Sequence, residues 1–515
     1  MKKMLYLLLL PLLWACSESV DNPVLNIEGG QVQGVMADNP GVYVYRGIPY
    51  AAPPIGDLRW KAPQPVVPWQ GIRLCDKFGH PGYQAVHYPG FYASEWGYGD
   101  EAPYSEDCLY LNVWTKAPGQ VDKKLPVALW IHGGGYREGW GSEPEFDGEE
   151  FAAHGVVLVS INYRLGVFGF LAHPELAAES PNGVSGNYGV LDMIQGLKWV
   201  KENIAQFGGD PDNVMIFGQS AGGGAVRTLV ESPLARGLFN KAVIMSAGGM
   251  GGMGGGRGAR PAAAPANARP AAAPAFAAPT LESIQNANKA ILDWAGLTDL
   301  QKMRAAGTET IYALSTIYAG ANGAAAAGGF GRGPALTGAP IVDGYVSLKS
   351  FDEAATDGSL ADVPYMMGFT KDDMGNMTEG IANFALNRQE KGGKCYAYQF
   401  ARPLPDDGSQ KVYVLKGAFH SSDLWYVFKS LKHCWRPWTK GDWDLAEKEV
   451  TYWANFCKYG DPNGKDGGEW TPYTKENPKF MIFKLDDADN EASAMGDPVL
   501  GERFNWPPQP PKEEK

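Results

Sequence analysis

The chain has 515 residues, 44% of them apolar and 20% charged, which is ample for a large buried core and by length alone suggests more than one domain. Its formal net charge of -12, with no concentrated Lys/Arg tract, argues against nucleic acid as a partner. No His/Cys/Asp grouping has the spacing of a metal site, His80 and His87 read as polar surface residues, and no internal repeat is apparent.

Met1 to Ala15 places Lys2 and Lys3 before an apolar core from Met4 to Trp14. That core is too short to span a bilayer and reads as an export signal. Leu13-Trp14-Ala15-Cys16 resembles a bacterial lipoprotein box, which implies a lipidated Cys16 as the new N-terminus, an envelope or periplasmic location, and a tether over 16–23. A plain cleaved signal is the alternative. The catalytic unit is expected over 24–508 as one domain, because the candidate residues for chemistry are spread over two hundred positions and must converge; 509–515 is a polar tail.

Between Gly82 and Tyr104 the chain is rich in aromatics and glycine, a composition that usually packs its rings half-buried against a domain. Leu125 to Ile131 is an apolar strand that runs into His132-Gly133-Gly134-Gly135-Tyr136. A glycine run after a strand offers backbone N–H donors that no side chain obstructs, as an oxyanion requires. Val156 to Tyr163 is a continuous apolar run of the kind buried on both faces of a sheet. From Tyr188 to Phe207, Val190, Leu191, Ile194, Leu197, Val200 and Ile204 recur at helical spacing.

Phe207 to Gly222, FGGDPDNVMIFGQSAG, then follows. A buried strand, Val214 to Phe217, meets Gly218-Gln219-Ser220-Ala221-Gly222, and Gly223 to Val230 can begin a helix. A serine between glycines at spacing two suits a sharp strand-to-helix turn that exposes its hydroxyl; the alternative is a plain Gly-rich turn. Strand-turn-helix context favours Ser220 as a nucleophile. Lys241 to Ser246 is the next strand, after which Gly248 to about Ala278 is nearly all Gly, Ala, Pro, Met and Arg, with too little apolar bulk to order itself. This insertion is read as solvated, with a flap over the site as the alternative; Gly320 to Pro334 is a second such stretch.

A serine hydroxyl needs a base, and the base an orienting acid, in the order Ser, acid, His for this kind of turn. Only His420 and His433 follow Ser220. His433 sits beside Lys432 and Arg436, which disfavour its charged form, so His420, after the β-rich run Cys395 to Leu404, is the candidate base. The acid should lie at a strand's carboxyl end. Val363 to Phe369 ends at Thr370-Lys371-Asp372-Asp373, where Asp372 reads as a solvated turn and Asp373 as the acid. Asp343, in an Asp-Gly pair, is a rival that more often marks a turn.

FGGDPDNVMIFGQSAG, SEDCLYLNVW (105–114), HGGGY, NYRLGVFGF (162–170), GNYGVLDMIQGLKWVKENIAQFGGDP and YWANFCKYGDPN together resemble the type-B carboxylesterase family, α/β-hydrolases that include the cholinesterases. The likeness runs from about Val24 to Trp506 and is weak between Gly248 and Pro334. It implies an α/β-hydrolase fold with a large, mostly parallel sheet and helices on both faces. It also implies Ser220 as nucleophile, Asp373 as acid, His420 as base, and Gly134, Gly135 and Ala221 as oxyanion donors, with no cofactor and no metal. The chain departs from the family at Gln219, usually Glu, and at Asp373, also usually Glu. By the same resemblance the aromatic segment forms a gorge wall, so Tyr88, Phe91, Tyr92, Trp96 and Tyr98 are candidates to stack on an aryl or sugar group. The family commonly bridges Cys108 to a cysteine in the preceding loop; here that loop lacks one and Cys75 is nearest, so a Cys75–Cys108 bridge and no bridge both stand open.

The expected activity is hydrolysis of carboxylic esters through an acyl-enzyme. Within it, short-acid esters, feruloyl- or acetyl-bearing polysaccharide and a broad detoxifying range all remain open. The competing class is a catalytically silent binding or adhesion protein, which the family also contains; silent members tend to lack the serine or the histidine, and this chain has both.

Overall fold

The apolar runs at 125–131, 157–161 and 214–217 alternate between two cores rather than between core and water. Val127, Leu129 and Ile131 join one cluster and Ala128 and Trp130 the other; Val214 and Ile216 divide from Met215 and Phe217 in the same way. A strand with period-two side chains and no polar positions is covered on both faces. In the computed structural model, residues 22–85, 95–96, 103–250, 280–321, 336–406, 408, 415–465, 467–487 and 489–501 are described. The signal and Cys16, His87, Tyr88, Phe91, Tyr92, Tyr98, the insertion from 251 to 279, most of the 320–334 stretch and the tail lie outside the described residues.

The described strands are β1 (Val24–Ile27), β2 (Gly30–Gln33), β3 (Val35–Met36), β4 (Tyr43–Pro49), β5 (Ile72–Leu74), β6 (Tyr110–Thr115) and β7 (Leu125–Ile131). They continue with β8 (Val157–Ile161), β9 (Gly209–Gln219), β10 (Lys241–Met245), β11 (Tyr365–Thr370), β12 (Cys395–Phe400), β13 (Phe480–Phe483) and β14 (Ala494–Gly496). Three make a small sheet in the order β1-β2-β5, and the other eleven one large sheet, β14-β13-β12-β11-β10-β9-β7-β8-β6-β4-β3. From β8 to β13 neighbouring strands are parallel, and antiparallel pairs flank them at both edges. This is the α/β-hydrolase architecture expected from the resemblance.

Helices cover both faces. α1 (Tyr188–Asn203) and α2 (Ala221–Glu231) pack on the first cluster through Val190, Met193, Leu197, Val200, Val226 and Leu229. α3 (Lys440–Tyr459) covers the second through Leu445, Val450, Trp453 and Phe456. Each side has its own reason to be helical: α1 carries the apolar stripe read from the sequence, and α3 starts at a capping box between Thr439 and Asp442.

The chain order places the site. β8 lies on one side of β7 and β9 on the other, so the direction of winding reverses there, and a crevice opens at the carboxyl ends of the parallel strands. β7 ends at the glycine loop, β9 at Ser220 and β11 at Asp372-Asp373.

Among the described residues Cys75 and Cys108 are both buried and unpaired, as are Cys395 and Cys457, and Cys434 is half-buried and free. The bridge left open above is absent; each thiol sits in apolar surroundings that push it up, Cys75 to about 12.

Candidate active site

Ser220 stands at φ 56°, ψ -122°, between the end of β9 and the first residue of α2. A non-glycine residue at positive φ is strained, and here the strain sets the hydroxyl at the apex of the turn. The flanking glycines are obligatory for contact reasons. A Cβ at Gly222 would lie 2.0 Å from the Ile131 carbonyl oxygen, and one at Gly218 would lie 2.5 Å from the Gly222 backbone. Ala221 opens α2, so its N–H is among the first-turn donors that have no partner within the helix.

The glycine loop lies against this turn. A Cβ at Gly133 would approach Ser220 Cβ to 3.3 Å and the Gln219 carbonyl oxygen to 2.9 Å. Gly134, Gly135 and Tyr136 are successively at positive φ, 91°, 61° and 61°, a run that curls backbone amides around a concave spot suited to negative charge. His132, which the sequence marked only as the start of the motif, supports the loop. Its ring stacks on Tyr163 at 4.4 Å, its Nδ1 is 2.9 Å from the Gly133 carbonyl, and Tyr163 OH donates to its carbonyl. Burial lowers its pKa to about 3, so it stays neutral.

Asp373 is buried, and its Oδ1 lies 2.6 Å from His420 Nδ1. The carboxylate also accepts from Met374 N at 2.7 Å and from Thr370 N and Oγ1, each at 3.2 Å. Burial pushes this carboxyl up, but the charge and hydrogen bond of His420 outweigh it and hold it below its ordinary value. With Nδ1–H given to Asp373, the lone pair of His420 is on Nε2, which lies 3.3 Å from Gln219 Nε2, one residue from Ser220.

Asp372 is not the solvated turn expected of it. Its backbone N–H donates to the Ala418 carbonyl at 2.9 Å and its Oδ2 accepts from Ala418 N at 2.7 Å, so it clamps the loop that presents His420. Nothing local in the sequence marks a partner 46 residues away. Asp343 is a turn, its Oδ1 accepting from the amides of Tyr345, Val346 and Ser347 at 2.8–3.0 Å. His433 pairs with Asp147 at 2.7 Å and not with Asp373.

Of the aromatic candidates, Trp96 is described: it is buried and lines a narrow cavity with Gly133, Gly134, Glu145, Gln219 and Ser421. Burial, with Glu143 beside it, pushes Glu145 well above the ordinary carboxylate range.

One further carboxylate escaped the sequence reading. Asp423, three residues after His420, is wholly buried; Tyr398 OH is 3.5 Å from its Oδ2, and its Oδ1 has no hydrogen-bond partner among the described residues. Burial first, then the charge of Asp373, raises it to about 7. Unfolded, the group titrates near 3.9, so the native chain holds its proton to higher pH and loses stability as pH rises from about 4 through about 7. Asp423→Asn is therefore expected to raise stability more at pH 8 than at pH 5, by about 3 kcal/mol; equal gains in thermal midpoint at the two pH values would refute the assignment.

A parallel sheet whose central strand ends in a strained serine, facing a glycine loop and a buried His–Asp pair, defines a hydrolase of the α/β class. The carboxylesterase family matches over residues 21–383 and 375–496. The para-nitrobenzyl esterase of Bacillus subtilis (strain 168) is 31% identical over 512 residues, which cover 93% of this chain and 97% of that protein. A fumonisin B1 esterase of Sphingopyxis macrogoltabida is 48% identical over 233 residues, spanning 44% of this chain and 41% of its own length. Among solved structures, the Geobacillus stearothermophilus carboxylesterase EST55 is similar with a TM-score of 0.70 and 28% identity, covering 92% of this chain and 97% of that one. The chain belongs to the carboxylesterase family and is a serine carboxylic ester hydrolase.

Proposed function

We propose that carboxylic esters acylate Ser220, with His420 as general base and acid, Asp373 as the group that orients the imidazole, and the N–H groups of Gly134, Gly135 and Ala221 as the oxyanion donors. One juxtaposition carries this reading: His420 is fixed at Nδ1 by Asp373, while its Nε2 edge reaches the residue next to Ser220. His420 takes the serine proton as the hydroxyl attacks the ester carbonyl. The negative oxygen settles on the three amides, His420 returns the proton to the leaving alcohol, and water then repeats the sequence to free the acid. These steps need only the chain's own residues.

The named relatives act on unlike esters, one on fumonisin B1 and one on a para-nitrobenzyl ester, which supports a broad range over a single dedicated substrate. Trp96, which lines the cavity with Gly133, Gly134 and Gln219, suits an aryl or sugar group beside the scissile bond. A panel varying the acyl and the alcohol parts separately (acetyl, butyryl, feruloyl; aryl, alkyl, sugar) tests this. A rate confined to feruloyl or acetyl sugars would replace the broad reading with a polysaccharide esterase. The working place of the enzyme is the cell envelope, held by a lipid on Cys16, for which the Leu13–Cys16 sequence is the support.

Gln219 offers a separate handle. A carboxylate at that position would face His420 Nε2 across about the same gap and favour the charged imidazole. Gln219→Glu should move the acid limb of the kcat/KM pH profile upward by about 1 unit or more. A limb that stays put or falls would mean that residue 219 does not face the base in the working enzyme.

A further inference from the structure

We infer that the outer face of the β1-β2-β5 sheet rests on a phospholipid bilayer. The register fixes which side chains share that face. Val24 pairs with Gln33 and Gln33 with Leu74; Asn26 pairs with Gln31 and Gln31 with Ile72. The row between them, Leu25, Val32 and Arg73, points the other way, and Leu25 and Val32 are buried in the main core. Three aliphatic side chains therefore stand on one outward face, exposed at 37% (Val24), 53% (Ile72) and 56% (Leu74). Val67, 62% exposed, lies in the segment that runs along the β1–β2 turn, where Trp69 N donates to the Gly29 carbonyl.

Exposed aliphatics gathered on one face mark a contact surface, and its other members fit a lipid interface. Gln31 Nε2 donates to Asn26 Oδ1 at 3.0 Å and Gln33 Nε2 to the Asn22 carbonyl at 2.8 Å, so these amides on the face already have partners and lose less on leaving water. On the opposite side of the sheet, with Leu25 and Val32, Trp69 is half-buried, donates to the Gln31 carbonyl, and has the Arg73 guanidinium 5.7 Å from its ring.

The occupant is set by where the chain leaves the fold. β1 starts at Val24, and Asn22 lies only six positions after Cys16. Fully extended, that stretch reaches about 20 Å. This step rests on the proposed lipid at Cys16, which would hold this sheet near the bilayer. The opposite edge of the large sheet, at β14, would stand away from it.

The test uses the full chain in its processed form on vesicles of phosphatidylethanolamine and phosphatidylglycerol that carry a lipid-borne quencher. A fluorophore is placed at Leu74→Cys or, as the distant control, at Asp497→Cys; the other described cysteines are buried or half-buried. Strong quenching at 74 with at least fivefold less at 497 is expected, and Val24→Ser with Ile72→Ser should weaken quenching at 74 severalfold while hydrolysis of a soluble aryl acetate is unchanged. Equal quenching at the two positions overturns the proposal. So does a concentration-dependent dimer lost in the serine variants, which would give the face to a second copy. The mass of the processed chain reports the lipid separately: if Cys16 carries none, the anchor fails alone, and vesicle binding of that same chain, reduced about tenfold by the serine pair, still reads the face. Binding indifferent to the pair overturns it.

Discussion

Ser220→Ala is expected to lower kcat for a simple aryl acetate by about a million-fold, since a nucleophile that acts as one unit with its base takes most of the catalysis with it. The variant should fold: alanine fits the same turn, whose tight contacts are made by Gly218 and Gly222. A thermal midpoint close to wild type, substrate still bound, and turnover gone is the outcome that separates chemistry from scaffold. Residual hydrolysis within a hundredfold of wild type would place the nucleophile elsewhere. A wild-type chain with no turnover on any ester would revive the silent binding protein.

Asp373→Asn tests the other end of the relay. An amide there keeps the shape of the carboxylate but can present N–H to His420 Nδ1, which favours the tautomer with its lone pair turned away from the serine and withdraws the charge that stabilises the imidazolium. A fall in kcat of about 10⁴ is expected, with KM little changed. Stability should respond with a defined sign. The folded carboxyl lies below its unfolded value near 3.9, so its contribution is present above that pH and lost as the pH falls through the depressed folded value. The wild-type advantage over Asp373→Asn in thermal midpoint should therefore shrink on acidification below about pH 4; an advantage that grows there would contradict the His420–Asp373 pairing.

The elements that carry the site were legible because their burial is extreme. The run Val214–Phe217 contains no polar residue and Val157–Ile161 only Ser160, and a strand covered twice allows that. The pairing of His420 with Asp373 was legible from order: two histidines after the serine, one of them beside cations, left few arrangements. What was not legible depends on distant partners or on burial of a charge. The role of Asp372 is defined by Ala418, and the raised carboxyl of Asp423 by the fold around it; in the sequence each is one acidic residue among 57 Asp and Glu. The Cys75–Cys108 bridge, offered by resemblance alone, gave way because both thiols are enclosed in the apolar core with no sulfur partner among the described residues.

Asp372 and Asp373 leave the end of a single strand and hold two parts of one loop, the first its backbone and the second its ring. If that strand end tilts or slides as the sheet breathes, loop and imidazole travel with it, and the acid–base spacing is carried along intact. The serine rides on β9, with β10 lying between it and β11. Fluctuation of the sheet therefore falls on the gap between hydroxyl and imidazole, and that gap is the coordinate along which a bound ester can draw the machinery into working alignment.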